Sequence, residues 1–155
     1  MTQNYLSEER FQALENKPVL VTGGAGFIGS HLVDALVDLG AEVTILDDLS
    51  TGYFENIQHL EGKIRFIKGD IRSFETCMNA VHGNSIIFHQ AALGSVPRSM
   101  ENPPTPMEVN VQGTVNIFTS SVRHKVERLV FASSSSVYGD SRKLPKIEGE
   151  EGTPL

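Results

Sequence analysis

The order of apolar and polar positions along the chain predicts a regular alternation of strands and helices. Five short apolar runs end at glycine, acidic or polar residues, as buried strands do: 17–23, 41–48, 63–70, 84–92 and 127–134. Apolar residues at helical spacing predict helices at 27–40, 73–83 and 107–125. Because the strands are apolar on both faces and the crossovers are short, this pattern predicts an α/β domain with a doubly wound parallel sheet in three layers.

The remaining segments are predicted from their caps and helix breakers. Residues 7–16 begin with Ser7 as a cap and acidic residues in the first turn, which predicts a short N-terminal helix. Segment 93–106 is rich in proline and is predicted to be irregular, as is the polar segment that starts at Tyr138. Two helices have an apolar stripe, made of Ile28, Leu32, Leu36 and Leu39 in the first and of Met107, Val111, Val115, Phe118 and Val122 in the last.

Composition narrows the classes of function. The net charge of −6, with no cluster of lysine or arginine, argues against nucleic acid as a partner. A small anionic ligand is still compatible, because backbone N–H groups hold phosphate without net positive charge. Cys77 is the single cysteine, so no internal disulfide is expected. The first residues do not resemble a signal peptide and no apolar run approaches the ~20 residues of a membrane span, so we expect a cytoplasmic protein that does not bind membranes.

The most informative motif is the glycine-rich segment between Thr22 and His31. Gly24, Gly26 and Gly29 satisfy G-x-G-x-x-G, and Gly23 begins a looser G-x-x-G-x-x-G. Either spacing alone is weak, but here it lies between a predicted strand and a predicted amphipathic helix, the context that a dinucleotide site requires. The glycines allow a tight turn, close approach of backbone to a pyrophosphate, and close packing of helix on strand. The simpler interpretation is a tight turn without a ligand.

Acidic residues at the ends of the second and third strands support a dinucleotide. Asp47 lies 18 residues after Gly29, where a carboxylate accepts hydrogen bonds from the adenosine ribose and repels a 2′-phosphate. Asp48 follows it and no arginine is nearby, so NAD is favoured over NADP. Asp70 ends the third strand at the same edge of the sheet, where an adenine ring could lie. No metal site is expected.

Six motifs in order resemble one known family. TGGAGFIGSH, LDDLSTG, KGDIR, HQAALGSVPRS, the helix start NVQGT and FASSSSVYGD are similar to those of the extended short-chain dehydrogenase/reductases, in the NAD-dependent epimerase/dehydratase branch. HQAALGSVPRS and SSSSVYGD look most like the UDP-N-acetylglucosamine 4-epimerases of bacterial surface-polysaccharide synthesis. The resemblance implies a Rossmann-like fold, with residues 1–16 as an N-terminal helix and 17–155 as the N-terminal part of the NAD-binding domain.

The resemblance also implies roles for individual residues. Those implied to bind NAD are Gly23, Gly26, Phe27, Ile28, Gly29, Asp47, Asp48, Asp70, Ile71, Gln90, Ala91, Ala92 and Asn110. Those implied to contact a UDP-sugar are Ser95, Val96, Arg98 and Ser133, and the implied catalytic hydroxyls are Ser134 and Ser135. Simpler roles stay open: Asp48 and Arg98 as solvated charges, Asn110 as a helix cap, and the serines as a polar turn. We expect His89 to be a hydrogen-bonded core histidine rather than a base or a ligand.

The general base that the family uses is not found in this sequence. Its chemistry needs Tyr-x-x-x-Lys on one helix, because the ammonium lowers the pKa of the phenol. Tyr5, Tyr53 and Tyr138 are followed four residues later by Glu9, Ile57 and Arg142. In the family the tyrosine comes about twenty residues after the serine motif, which here would fall just past Leu155. We therefore expect an N-terminal piece of an enzyme, without its C-terminal strands and substrate domain and without activity alone.

Several functions are compatible with this family resemblance and the predicted site. The leading hypothesis is a 4-epimerase of UDP-N-acetylglucosamine and UDP-N-acetylgalactosamine that oxidises C4 transiently and returns the hydride, as a homodimer when full length. UDP-glucose 4-epimerase, a nucleotide-sugar dehydratase and UDP-glucuronate decarboxylase are alternatives within the family. Dehydratases usually carry an Asp-Glu pair beside the catalytic hydroxyl, where this chain has Ser135 and Ser136. An alternative of another class is a non-catalytic module that binds NAD.

Overall fold

The computed structural model describes residues 13–94 and 96–153, and for Val96 and Arg98 it describes the backbone alone. Of the predicted N-terminal helix at 7–16, only residues 13–16 are described, and they form a turn. Ser95 and residues 154–155 also lie outside the described part.

A five-stranded parallel sheet forms the centre of the molecule. The strands are β1 (Pro18–Thr22), β2 (Glu42–Asp47), β3 (Arg65–Lys68), β4 (Ile86–His89) and β5 (Arg128–Phe131). Their order is β3-β2-β1-β4-β5, so the chain moves outward from β1 to one edge and then returns to build the other. Each predicted strand is present, and the doubly wound order confirms the predicted fold class.

Helices cover both faces of the sheet. They are α1 (Phe27–Asp38), α2 (Phe74–Val81), α3 (Val96–Glu101), α4 (Pro104–Met107) and α5 (Thr114–Arg123). A π-helical segment, Glu108–Gly113, joins α4 to α5 with helical backbone angles at both junctions, so we call the whole the 104–123 helix. Short 3₁₀ segments occur at Phe54–Asn56, Gln58–Leu60 and Ser135–Tyr138. Ser73 caps α2, because its hydroxyl accepts a hydrogen bond from the Thr76 N–H at 3.2 Å.

The prediction that 93–106 is irregular was wrong, because α3 lies within this segment and α4 begins in it. Pro97 is the second residue of α3, and Pro104 is the first residue of α4. Proline is compatible with the first turn of a helix, where its missing N–H would have no intrahelical partner. The prolines in this segment therefore start helices rather than prevent them.

Two apolar cores, one on each side of the sheet, give the three layers. Alternate residues of β1 point to opposite sides: Val19 and Val21 pack with Val33 and Leu36 of α1, whereas Leu20 faces the other core. That second core contains residues of β2, β4, α2 and α5, among them Leu46, Ile87, Cys77, Ala80 and Ile117. Fully buried side chains on both faces of β1 fit a central strand.

The predicted apolar stripe of α1 was wrong at its first position. Ile28 is 70% exposed, whereas Val33 and Leu36 are buried. The first turn of α1 lies at the carboxyl end of the sheet, where Gly29 and Ser30 rather than large residues are buried. The buried side of α1 therefore begins with small residues, and Ile28 projects beside the cavity described below.

The apolar stripe of the 104–123 helix faces away from the described core. Its five residues are between 41% and 79% exposed: Met107, Val111, Val115, Phe118 and Val122. The side that packs on the core instead carries Gly113, Asn116 and Ile117. A Cβ on Gly113 would lie 2.5 Å from Ile71 Cδ1, so glycine lets the helix approach the loop after β3.

Candidate cofactor site

A cavity of about 630 Å³ opens at the carboxyl ends of the strands. This is where open α/β sheets bind ligands, and the volume is within the usual range for small-molecule sites. Thirteen residues named from the sequence line it: Gly23, Gly26, Phe27, Ile28, Gly29, Asp47, Asp48, Asp70, Ile71, Gln90, Ala91, Ala92 and Ser133. The fold thus brings residues from five separate segments to one surface.

The glycine turn forms the floor of the cavity. Gly23 has a φ of +69°, and a Cβ there would lie 2.8 Å from the backbone N and Cα of Ala91. A Cβ on Gly29 would overlap the carbonyl oxygen of Gly23, so α1 packs against the turn only because residue 29 is glycine. At Gly26, by contrast, an added Cβ would meet only the Gly23 carbonyl oxygen, at 3.3 Å. A side chain on Gly26 would therefore occupy space that a ligand can use.

The start of α1 presents hydrogen-bond donors to the same space. The first α-helical hydrogen bond runs from Ser30 N to Gly26 O at 2.9 Å. The N–H groups of Phe27, Ile28 and Gly29 precede that bond, so they are oriented toward an acceptor beyond the helix end. These donors and the helix dipole favour an anion, and a diphosphate fits both them and the open side of Gly26.

Asp47 has a structural role in the cavity wall. Its side chain is buried, and its two oxygens accept hydrogen bonds from Ala25 N at 2.9 Å and Leu49 N at 2.8 Å. It therefore joins the end of β2 to the glycine turn. Asp48 is exposed, and its Oδ1 accepts a bond from Ser50 N at 2.8 Å.

Among the described residues, the charged side chains that line the cavity are all negative. Asp47, Asp48 and Asp70 are the charged residues in its lining. A bound diphosphate would be held by backbone donors at α1, while these carboxylates would disfavour a further phosphate on the adenosine ribose. This distribution fits NAD better than NADP.

Asp70 is oriented by Arg72, which the sequence analysis did not single out. Asp70 Oδ2 accepts bonds from Arg72 Nε at 2.8 Å and Nη2 at 2.6 Å, and Oδ1 accepts from Arg72 N at 2.8 Å. Arg72 Nη1 also binds Glu108 of the 104–123 helix at 3.1 Å. Partial burial acts to raise the pKa of Asp70, but the hydrogen bonds and charge of Arg72 outweigh it and hold the pKa below its usual value.

Asn110 lies behind the cavity wall rather than in it. Its Oδ1 accepts a bond from Leu93 N at 2.8 Å and its Nδ2 donates to Leu93 O at 2.9 Å, and it is not among the lining residues. In the structure this residue supports the loop after β4, and its predicted contact with the cofactor stays a prediction. His89 is buried with both ring nitrogens hydrogen bonded, which agrees with the expectation of a core histidine.

The serine motif contributes one residue to the cavity. Ser133 lines it, whereas Ser134 and Ser135, the implied catalytic hydroxyls, do not. Ser134 Oγ accepts a bond from Ser136 N at 3.2 Å and caps the 3₁₀ segment that ends at Tyr138. Tyr138 is thus in a single short turn, and Gly139, with a φ of +55°, follows it.

The residues implied to contact substrate fall where little is described. Ser95 is outside the described residues. Val96 and Arg98 lie in α3, which follows the cavity-lining segment 90–94, but nothing is described of their side chains. Their predicted contacts with a UDP-sugar stay predictions.

The loop after β2 was missed as part of the cavity. Ser50, Thr51 and Gly52 line it, and the next residue binds the glycine turn through Tyr53 N to Ala25 O at 3.1 Å. The sequence contains a signal for this loop, because the segment LSTG directly follows Asp47 and Asp48, which were predicted to bind the cofactor. Other lining residues that the sequence analysis did not name are Leu46, Gly69, Leu93, Gly94, Val109 and Ala132.

No group of three or more histidine, cysteine, aspartate or glutamate side chains within 13–94 and 96–153 is arranged to hold a metal ion. No helix in the same part of the chain has the length and apolar character needed to cross a bilayer.

Comparison with known proteins relates the chain to one family. Residues 19–155 match the profile of the NAD dependent epimerase/dehydratase family. A putative UDP-glucose 4-epimerase of Methanocaldococcus jannaschii is 40% identical over 139 residues, which are 88% of this chain and 45% of that protein. The UDP-N-acetylglucosamine 4-epimerase of Methanobrevibacter ruminantium, solved with UDP-N-acetylmuramic acid, is 37% identical with a TM-score of 0.81; the match covers 90% of this chain and 45% of the other.

A third comparison concerns the cofactor. The Thermus thermophilus UDP-glucose 4-epimerase, solved in complex with NAD, is 40% identical with a TM-score of 0.77, over 86% of this chain and 43% of that one. The chain thus spans somewhat less than half the length of these relatives. The expected parallel α/β fold is confirmed, and NAD is confirmed as the cofactor of the family. The chain belongs to the NAD dependent epimerase/dehydratase family of enzymes.

Proposed function

We propose that this chain forms the NAD-binding part of a nucleotide-sugar 4-epimerase that interconverts UDP-N-acetylglucosamine and UDP-N-acetylgalactosamine. The observation that carries the proposal is the open side of Gly26 beside the N–H groups that begin α1, because this arrangement accommodates a diphosphate at backbone distance. Membership of the family supports the reaction class. The proposal includes a cytoplasmic location for this reaction.

In this proposal the residues of the chain bind the cofactor and orient the sugar. The N–H groups of Phe27, Ile28 and Gly29 bind the diphosphate, and the carboxylate of Asp47 or Asp48 accepts bonds from the adenosine ribose. Bound NAD would supply a hydride acceptor for C4 of the sugar and return the hydride to the other face. Ser133, which lines the cavity, would orient the sugar oxygen together with Ser134 after a change in the turn that Ser134 caps.

No tyrosine in the given sequence fits the Tyr-x-x-x-Lys base that the family resemblance implies. No tyrosine in the sequence has a lysine four residues later, and Tyr138 ends a short 3₁₀ turn rather than lying in a helix. We therefore assign cofactor binding to this chain and leave proton transfer unassigned. The expected result for the purified chain is NAD binding without turnover.

UDP-glucose 4-epimerase is the second candidate, because relatives in M. jannaschii and T. thermophilus carry that name. The N-acetylated substrate is favoured by the HQAALGSVPRS and SSSSVYGD motifs and by the M. ruminantium relative. Saturation-transfer NMR on the NAD-loaded chain should show stronger contact with UDP-N-acetylglucosamine than with UDP-glucose. The reverse order would favour the second candidate.

We also propose that the exposed stripe of the 104–123 helix packs against a second copy of the protein. Met107, Val111, Val115, Phe118 and Val122 form an apolar surface of the kind that usually marks an interface. A homodimer through this helix would bury side chains that the described core leaves in water.

Calorimetric titration with NAD tests the proposed function directly. Wild-type chain should bind NAD with 1:1 stoichiometry, and ADP-ribose should compete for the same site because it keeps the diphosphate. A discontinuous assay with either UDP-sugar should detect no epimer above a heat-denatured control. Absence of NAD binding would remove the proposal, and turnover by this chain would show that its base differs from Tyr-x-x-x-Lys.

A further inference from the structure

We infer that His89 is a positioning residue that holds the wall of the cavity in place as a neutral imidazole protonated on Nε2. This inference rests on the proposed NAD site, since the wall that it holds, Ala91 to Leu93, lines that cavity. His89 itself does not line the cavity, and the proposed chemistry makes no use of its ring.

The imidazole connects three elements that meet behind the cavity. His89 is the last residue of β4 and is 1% exposed. Its Nδ1 lies 2.6 Å from the hydroxyl of Thr22, the last residue of β1. Its Nε2 lies 3.0 Å from the hydroxyl of Thr114, the first residue of α5.

The hydrogen-bond partners of the Thr22 and Thr114 hydroxyls determine which ring nitrogen of His89 carries the proton. Thr114 donates its only hydroxyl proton to the carbonyl oxygen of Asn110 at 2.7 Å, so it must accept from His89 Nε2–H. His89 Nδ1 is then an acceptor and receives the hydroxyl proton of Thr22. The oxygen of Thr22 accepts in turn from Ala91 N at 3.2 Å. Every group is satisfied with this tautomer. The opposite tautomer would leave two acceptors, Nε2 and the Thr114 oxygen, facing each other.

The network holds the cavity wall at two points. At one end the Ala91 N–H is bound to Thr22, which directly precedes the glycine turn. At the other end Asn110, whose carbonyl receives the Thr114 proton, binds both Leu93 N and Leu93 O. A Cβ on Gly23 would lie 2.8 Å from Ala91, so this wall also touches the floor of the cavity.

Burial favours the neutral ring that this network needs. It lowers the pKa of His89 to about 4, so the imidazole is uncharged near neutral pH. A charged imidazole would place a second N–H on Nδ1 against the Thr22 hydroxyl, which would then lack an acceptor for its own proton. The hydrogen-bond pattern and the burial therefore both indicate a neutral imidazole.

Long-range ¹H–¹⁵N NMR of the wild-type chain without NAD tests the tautomer, with His89→Gln identifying the His89 signal among the five histidines. We expect a protonated Nε2 and an unprotonated Nδ1. A ring protonated on Nδ1, or a rapidly exchanging mixture, would overturn the inference. This measurement needs no cofactor, so it stands even if the chain does not bind NAD.

The positioning role is tested by Thr114→Val and Thr114→Ser. Valine removes the acceptor for Nε2–H and the donor to Asn110, whereas serine keeps both. We expect Thr114→Val to bind NAD about tenfold more weakly and to shift the amide signals of Ala91 and Leu93, and Thr114→Ser to restore both. If wild type binds NAD and Thr114→Val binds it equally well, the role is refuted. If Thr114→Val does not fold, a loss of NAD affinity in a folded Thr114→Ser likewise refutes it.

Discussion

At the scale of single residues, Gly26 and Gly29 have different tasks and should respond differently to alanine. Gly26→Ala places a methyl group in the cavity at a backbone conformation that alanine adopts, so it should lower NAD affinity at least about tenfold with little loss of stability. Gly29→Ala forces a Cβ into the Gly23 carbonyl and should lower the free energy of unfolding by about 2 kcal/mol or more. Urea unfolding and NAD calorimetry measure both effects.

Adenosine is the control for this pair of variants. It lacks the diphosphate, so wild type and Gly26→Ala should bind it equally weakly. If Gly26→Ala binds NAD as tightly as wild type, the diphosphate does not lie over this glycine.

His89 gives the second prediction at this scale. Its pKa is 6.5 in the unfolded chain and about 4 in the folded one, so below pH 6.5 the unfolded chain takes up a proton that the folded chain does not. The contribution of neutral His89 to the free energy of unfolding is therefore fully present above pH 6.5. It decreases as the pH falls toward 4, by up to about 3 kcal/mol. Urea unfolding at a series of pH values measures this loss.

His89→Gln provides the comparison, because glutamine keeps a donor and an acceptor but does not titrate in this range. Its unfolding free energy should depend less on pH between 6.5 and 4 than that of wild type. Parallel curves for the two proteins would mean that His89 is protonated in the folded state as readily as in the unfolded one.

The role of a residue can be predicted from sequence when it depends on neighbours within a few positions of the chain. The roles of Gly26 and Gly29 were predicted from spacing within one turn. In the structure Gly29 packs against the carbonyl of Gly23, whereas Gly26 is open to the cavity. Asn110 and Arg72 act on residues from other segments, Leu93 and Glu108, and no local pattern shows such contacts. Ser134 was assigned by resemblance, and here its hydroxyl caps the following turn.

At the scale of elements, the 104–123 helix gives a prediction about assembly. Val115→Glu puts a charge in the middle of its exposed apolar stripe, so it should convert a dimer to a monomer in sedimentation velocity experiments. Ala35→Glu adds the same charge at an exposed position of α1, on the other side of the sheet, and should leave the assembly unchanged. A wild-type chain that is monomeric at all concentrations would contradict the proposed interface.

The same helix shows what periodicity leaves undetermined. The stripe from Met107 to Val122 predicted a helix, and one is present, with a π-helical segment at Glu108–Gly113. The apolar spacing did not show which side meets the core, because glycine and asparagine pack there, with Gly113 and Asn116 against the segment after β3. Likewise, proline content predicted a loop at 93–106, since composition does not distinguish a proline that starts a helix from one that ends it.

At the scale of the whole molecule, the negative lining of the cavity should determine the choice of dinucleotide. NADP adds a phosphate near Asp47 and Asp48, so we expect it to bind at least about tenfold more weakly than NAD. Asp48→Asn removes one exposed charge without touching the bonds that Asp47 makes to the turn, and should narrow this difference. Asp38→Asn, at the opposite end of α1, is the matched control.

Competition between NAD and NADP for the wild-type chain and both variants measures this preference. The difference between the two cofactors should also shrink as salt concentration rises, because exposed charges are screened. Equal affinity for NAD and NADP in the wild-type chain would show that these carboxylates do not face the adenosine ribose.

A crystal structure of this chain grown with NAD tests the central claim most directly. The account predicts the diphosphate over Gly26, with its oxygens within hydrogen-bond distance of the backbone nitrogens of Phe27, Ile28 or Gly29, and the nicotinamide toward Ser133. Electron density for NAD at another surface, or a diphosphate held by side chains away from the start of α1, would contradict it.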